Sequence, residues 1–148
     1  MFSLIRTNSQ NPDFQKLSAT FDEFLIDIDG DEKDFFAQYN QIHLDHVVLF
    51  YENQIAVACG AFKKYDQDTA ELKRMFVLPA YRGKGIANAI ITELENWIAA
   101  EKISNIILET ATKLLPAIAL YKKLGYSQIP NYGVYEKVAS SFCMQKKI

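Results

Sequence analysis

The chain has 148 residues, of which 49% are hydrophobic, 13% aromatic and 23% charged, and its net charge is −2. That balance suits a single domain, residues 1–148, with its own core, and it excludes collagen, a disulfide scaffold and a disordered chain. No apolar run approaches the roughly 20 residues that span a bilayer, and Met1–Arg6 is too short and wrongly flanked for a signal peptide. Cys59 and Cys143 match no metal spacing and sit in apolar, strand-like contexts, which implies buried free thiols and a cytoplasmic protein.

In chain order, Phe2–Arg6 reads as a strand. Asn11-Pro12-Asp13 then starts a helix, with Asn as cap, Pro in the first turn and an acid at the positive end of the dipole. Phe14, Leu17, Phe21, Phe24, Leu25 and Ile28 recur at helical spacing up to Gly30, and residues 32–41 form a second, shorter helix. Val47–Tyr51 and Ile55–Phe62 are strands joined by a hairpin turn at Glu52-Asn53-Gln54, and Asp66-Gln67-Asp68 makes another turn. Ala70–Leu78 is a long strand running up to Pro79.

Ile86, Ile90, Leu94, Trp97 and Ile98 mark one face of a strong helix. Ile103–Thr110 is a buried strand, Pro116–Leu124 a helix with Gly125 just past its end, and Tyr126–Ile129 and Ser141–Lys146 are terminal strands. The order β-α-α-β-β-β-α-β-α-β-β, with early hairpins and two late βαβ crossovers, predicts an α/β fold. Its mixed, mostly antiparallel sheet of six or seven strands has about four helices on both faces.

Charge is unevenly spread. Residues 1–45 carry a net −6 and residues 46–148 a net +4. Either the acidic part is a solvated helix face, or it meets a cation while the basic part meets an anion. The anion has an obvious place in Met75–Asn88, where a strand enters the turn Arg82-Gly83-Lys84-Gly85 and a helix follows at once. Glycines let a ligand approach the backbone, and the helix start, Arg82 and Lys84 supply positive charge sized for a pyrophosphate. A P-loop is excluded because GxxxxGK(S/T) is absent. A Rossmann fingerprint fails at Asn88, where its third glycine belongs, and on the antiparallel strands that precede it.

Arg82-Gly83-Lys84-Gly85-Ile86-Ala87 resembles the Q/R-x-x-G-x-G/A motif of the GNAT family of N-acetyltransferases. The segment Ile118–Tyr126, containing Tyr121-Lys122-Lys123-Leu124-Gly125-Tyr126, resembles that family's LYxKxGF/Y segment in the expected register. The sharp likeness covers Ala70 to Tyr126. It implies the acyl-CoA N-acyltransferase fold, with strands Ala70–Leu78 and Ile103–Thr110 splayed apart. The pantetheine arm of acetyl-CoA then pairs near Met75, Phe76 and Val77, and the pyrophosphate sits on the amides of Gly83, Lys84, Gly85, Ile86 and Ala87. Many relatives carry Asn where this chain has Leu114, so Thr112 is a substitute contact to the cofactor arm.

The resemblance also implies roles. Tyr121 is the acid at the departing sulfur, or else a core aromatic. From the strand pattern rather than the resemblance, Glu71, expected on one face with Lys73, Met75 and Val77, is the candidate base, or else the partner of Lys73; Glu109, ending the next strand, is the reserve. Phe35, Phe36, Tyr39, Tyr132 and Tyr135 border the acceptor pocket. His43 and His46 lack a third strong ligand, so no metal is expected. The implied activity is direct acetyl transfer in a ternary complex from acetyl-CoA to a primary amine of a small molecule or protein. The alternative is an acyl-CoA sensor on the same fold. Nucleic acid is not an expected partner, because the basic residues cluster at one turn, and neither is a membrane, because no apolar run is long enough to span one. A monomer or a homodimer paired through terminal strands fits the sequence.

Overall fold

Alternating apolar residues build a seven-stranded sheet in the order β1-β2-β3-β4-β5-β7-β6. The computed structural model describes residues 1–40 and 42–148, and of Asn40 the backbone alone. The strands are β1 (Phe2–Thr7), β2 (His46–Glu52), β3 (Ile55–Lys64), β4 (Thr69–Val77), β5 (Asn105–Ala111), β6 (Ser127–Ile129) and β7 (Ser141–Lys147). The helices are α1 (Pro12–Asp29), α2 (Lys33–Asn40), α3 (Ile86–Ala100) and α4 (Leu115–Lys123), with 3-10 turns at Gly30–Glu32, Pro79–Tyr81 and Gly133–Tyr135. The expected order therefore holds, and the end of the second predicted helix, Gln41, lies outside the described residues. Among the described residues no helix is long and apolar enough to cross a membrane.

Local chemistry sets the ends. The Asn11 side chain accepts from the N–H groups of Asp13 and Phe14 and caps α1 as its sequence predicts. The strand expected from Ile103 begins later, at Asn105, because the Ile103 N–H turns back to the Ile98 carbonyl at the end of α3. Likewise the Tyr126 N–H bonds the Tyr121 carbonyl at the end of α4, so β6 starts at Ser127.

Each face of the sheet carries its own core. On one face α3 (Ile86, Ile90, Ile91, Leu94, Ile98) packs with Val48, Phe62, Leu72, Ile106, Leu108 and Met144. On the other, Phe14 and Leu17 of α1 pack on Val47, Leu49, Cys59, Ala61 and Phe76. Both cysteines are buried and free.

A bulge in β4 changes what each side chain faces. Ala61 pairs with Lys73 and Cys59 with Phe76, so Arg74 and Met75 together oppose Gly60. Arg74 takes a positive φ of 56° to do this. Alternation restarts after it, which corrects the expectation that Glu71 and Lys73 share a face with Met75 and Val77. Met75 and Val77 pack on the α3 core, whereas Phe76 joins the α1 core and Arg74 reaches α1. Glu71 and Lys73 point to the α1 side as well, because their neighbours Ala70 and Leu72 belong to the α3 core.

The parallel pairing of β4 with β5 ends early. Thr69, Ala70 and Glu71 pair with Asn105, Ile106 and Ile107, and there the ladder stops. From Leu72 and Leu108 onward the two strands diverge, and β5 continues paired to β7 as far as Ala111. The result is a fork in the middle of the sheet.

Gly60 makes the bulge possible. A Cβ there would lie 2.3 Å from Met75 Sδ and 2.7 Å from Ile90 Cγ2. Gly60→Ala is expected to lower stability by about 1–3 kcal/mol through overpacking, read from urea denaturation midpoints.

Candidate active site

The turn after β4 is built to receive an anion. Gly83 and Gly85 have φ of +78° and +81°, which L side chains rarely adopt. A Cβ on either would meet nothing within 4 Å, so the space above the backbone is open. Gly85 starts α3 with no side-chain cap, and the N–H groups of Ile86, Ala87 and Asn88 precede the first helical bond, from Ala89 N–H to Gly85 O. Uncapped donors at the positive end of a helix are what a phosphate needs.

Arg82 does something the sequence did not show. Its Nε donates to the Val77 carbonyl at 2.9 Å, and its guanidinium lies 5.3 Å from the Phe24 ring and 5.7 Å from the Phe76 ring. It ties the turn to β4 and α1. Lys84 lies 5.4 Å from the Tyr81 ring and is not part of the cleft wall.

A single cleft of about 600 Å³ runs from Gly83, Gly85, Ile86 and Ala87 through the fork. Met75, Phe76 and Val77 line one bank, and Leu108, Thr110 and Ala111 the other. Leu114 and Tyr121 line the cleft from the α4 side. Leu114 precedes α4 without a side-chain cap and offers only an apolar surface. Thr112 is not in the cleft wall; its N–H bonds Ser140 O at 2.9 Å.

Tyr121 is 7% exposed and packs edge-on to Tyr126, with ring centres 5.6 Å apart. Burial raises the pKa of its hydroxyl above the ordinary range. The group is therefore a neutral donor facing the cleft.

On the α1 side the cleft ends among charges. Asp29, Glu71, Lys73 and Glu109 line it, with Phe21, Phe24, Leu25, Phe36 and Tyr135 as apolar walls. Glu71 is only 4% exposed. Its Oε2 accepts from the Tyr132 hydroxyl at 2.5 Å and its Oε1 lies 3.7 Å from Lys73 Nζ. Burial, and next the Glu71 charge, push the Tyr132 hydroxyl well above its usual pKa, so Tyr132 stays the donor. Glu109 Oε2 accepts from Ser141 Oγ at 2.7 Å. Burial pushes Glu109 up to about 7, against the opposing pull of Ser141 and Lys73 and with help from Asp29 and Glu71. Asp29 is raised to about 6, first by burial and then by Glu32. Lys73 is lowered, mainly by burial.

Not every expected wall residue reaches the cleft. Of the aromatic residues expected there, Tyr135 and Phe36 line it, whereas Phe35, Tyr39 and Tyr132 stand behind. Phe35 packs edge-on to Phe36 and Tyr39 with ring centres 5.2 Å and 5.3 Å apart, and Tyr132 is 5.8 Å from Tyr135. The histidines stand elsewhere: His43 bonds Asp45, and His46 stacks on Phe62 at 4.3 Å.

Sequence reasoning missed Asp29 and Arg74. Asp29 reads as one more acid at a helix end, although its place one turn beyond Leu25 on the buried side was a signal. Arg74 is nearly inaccessible and donates through Nη2 to Asp22 Oδ1 at 2.7 Å and to Ser18 O at 2.8 Å. Only the unforeseen bulge turns it toward α1.

A forked sheet with an uncapped helix start at one mouth and carboxylates at the other defines an acyl-CoA N-acyltransferase fold. Residues 11–126 match the model of the acetyltransferase (GNAT) family, and the chain belongs to that family. It is 30% identical over 112 residues to YjgM, an uncharacterized N-acetyltransferase of Escherichia coli K12, covering 74% of this chain and 67% of that protein. It is 33% identical over 93 residues to an IAA acetyltransferase of Azospirillum brasilense, covering 62% of this chain but only 61% of that protein. An acyl-CoA N-acyltransferase structure from Klebsiella pneumoniae superposes with a TM-score of 0.83 at 24% identity, covering 99% and 97% of the two chains. A GNAT acetyltransferase from Elizabethkingia anophelis, solved with acetyl-CoA bound, superposes at 0.73 with 13% identity over 99% and 98% of the chains.

The raised Glu109 pKa has a stability consequence. The folded chain holds a proton on Glu109 up to about 7, whereas the unfolded chain releases it near 4.5. This contribution is complete below 4.5 and is lost as the pH rises through about 7. Glu109→Gln is expected to flatten that part of the stability profile, measured by calorimetric melting at pH steps from mildly acidic to mildly basic buffer.

Proposed function

We propose that the protein moves the acetyl group of acetyl-CoA to a primary amine by direct attack in a ternary complex. One observation carries this: the glycine turn before α3, the carboxylates Asp29, Glu71 and Glu109, and Tyr121 all line the same cleft. In this reading the pyrophosphate lies on the free amides of the α3 start. The pantetheine arm fills the fork beside Met75, Phe76 and Val77, where the edge of β4 is unpaired to β5. A backbone N–H of that edge, such as that of Val77, polarises the thioester carbonyl. The Tyr121 hydroxyl donates a hydrogen bond to the departing sulfur. Its raised pKa fits a hydrogen-bond donor better than a full acid, since a thiolate is the weaker base. Leu114 lends no polar contact, so the arm is held by backbone and apolar contact.

The acceptor approaches from the α1 side, past Phe24 and Phe36, to the carboxylates. The acidic balance of residues 1–45 favours a cationic amine there. Family members named for small molecules and for proteins lie among the relatives: a streptothricin acetyltransferase of Escherichia coli and a ribosomal-protein-S18-alanine N-acetyltransferase of the same species. An amine of either kind is compatible with a cleft open at that mouth. A second reading, acyl-CoA binding without turnover, draws on Leu114 in the wall.

Tyr121→Phe separates the two readings. It is expected to lower kcat for thiol release from acetyl-CoA by about 10²-fold while leaving the calorimetric Kd for acetyl-CoA unchanged. Tight acetyl-CoA binding with no amine-dependent thiol release in the unmutated protein would favour the sensor.

A further inference from the structure

Tyr121 lines the cleft from α4, and its ring packs on a residue outside the cleft wall. That residue is Tyr126, 3% exposed, edge-on to Tyr121 with ring centres 5.6 Å apart. The Tyr126 N–H also bonds the Tyr121 carbonyl at 2.9 Å, so the two residues are joined by backbone and by ring at the end of α4. The Tyr126 hydroxyl in turn donates to Glu95 Oε2 of α3 at 2.8 Å. Lys146 Nζ of β7 donates to both Glu95 oxygens at 3.1 Å and lies 5.6 Å from the Tyr126 ring centre. The Lys146 stem passes close to Gly125, where a Cβ would stand 3.4 Å from Lys146 Cε. Glu95, Tyr126 and Lys146 do not themselves line the cleft.

Resting on the acetyl-transfer reading above, we propose that Glu95, Tyr126 and Lys146 are positioning residues that aim the Tyr121 hydroxyl at the departing sulfur. A phenol assists a leaving thiolate only when its O–H points along the right line. An edge-on aromatic pair restricts the turning of each ring, because its energy depends on the angle between them. The pair can hold Tyr121 only if Tyr126 is itself held. That hold is the Tyr126–Glu95 bond, which is directional and, being made to a carboxylate, stronger than one between neutral groups. Lys146 fixes the carboxylate in turn by donating to both of its oxygens.

Core filling alone does not account for this arrangement. A phenylalanine ring would occupy the same space without drawing a carboxylate and an ammonium in to 18% and 25% side-chain exposure. Burial, and next the Glu95 hydrogen bond, push the Tyr126 hydroxyl well above its usual pKa, so Tyr126 stays the donor and Glu95 the acceptor. Helix α3 thus contributes twice: its first residues, Ile86 and Ala87, line the cleft, and Glu95 further along holds the ring on which Tyr121 rests. Removing the Tyr126 hydroxyl deletes one bond, keeps the ring in the core and leaves the Glu95–Lys146 pair in place.

The test is a double-mutant cycle on kcat, with saturating acetyl-CoA and a panel of spermidine, phenethylamine and lysine amide as acceptors. Tyr126→Phe should lower kcat by about 10-fold, with the Kd for acetyl-CoA and the acceptor KM unchanged. Glu95→Leu should do the same, and Glu95→Gln, whose amide oxygen still accepts, should recover most of the rate. Lys146→Met should act in the same direction. In a Tyr121→Phe background, Tyr126→Phe should cause no further loss, because no hydroxyl is left to aim. An equal loss in both backgrounds, or no loss from Tyr126→Phe alone, overturns the positioning role and leaves the acetyl-transfer reading standing. No turnover with any amine in the unmutated protein overturns both.

Discussion

The ladder between β4 and β5 stops at Glu71 and Ile107, and the site depends on that stop. Backbone N–H and C=O groups left without partners inside a domain are costly unless something else satisfies them. The strand therefore needs a reason to part and a means to stay parted. The bulge at Arg74 supplies the bend, at a positive φ that a non-glycine residue adopts only when its surroundings hold it there. Those surroundings are the Arg74 guanidinium on Ser18 and Asp22 of α1, the Phe21 ring 4.7 Å from it, and Arg82 folded over the Val77 carbonyl. A buried ion pair is weak evidence for stability but a good device for fixing geometry. Here it joins α1 to β4 beside the cleft.

The same bend sorts the chemistry by face. Before the bulge, Glu71 and Lys73 point toward α1; after it, Met75 and Val77 point toward α3. The α3 side of the fork carries Met75, Val77 and Leu108, with Thr110 and Tyr121 as its polar groups. The α1 side gathers Asp29, Glu71, Lys73 and Glu109 in a partly dry setting, where burial moves the ionisation of two carboxyls toward neutrality. A strand of strict period two would have mixed these functions on one face.

Much of this was legible in the sequence. Element order followed from apolar periodicity, the α1 cap from Asn11, and the anion turn from two glycines beside a helix start. Membership of the family followed from the spacing of that turn to Tyr121. What was not legible depends on register. No local signal marks Arg74 as the bulged residue, because the cause lies in Gly60 across the ladder, and so Glu71 was placed on the wrong face. The Arg82 bond to the Val77 carbonyl was invisible because sequence shows charge and not direction. The raised pKa values of Asp29 and Glu109 were not legible, because burial and not residue type sets them. Phe35 and Phe36 are adjacent in sequence, yet a helical turn sends only Phe36 to the cleft.

In the acetyl-transfer reading, the unpaired edge of β4 and the free amides of the α3 start receive acetyl-CoA. Amide hydrogen exchange, resolved by residue with and without saturating acetyl-CoA, tests it directly. Exchange should slow only at the amides around Met75–Val77 and Gly83–Asn88, with the paired segment Thr69–Glu71 unchanged. Equal exchange in the two samples at both segments would contradict it.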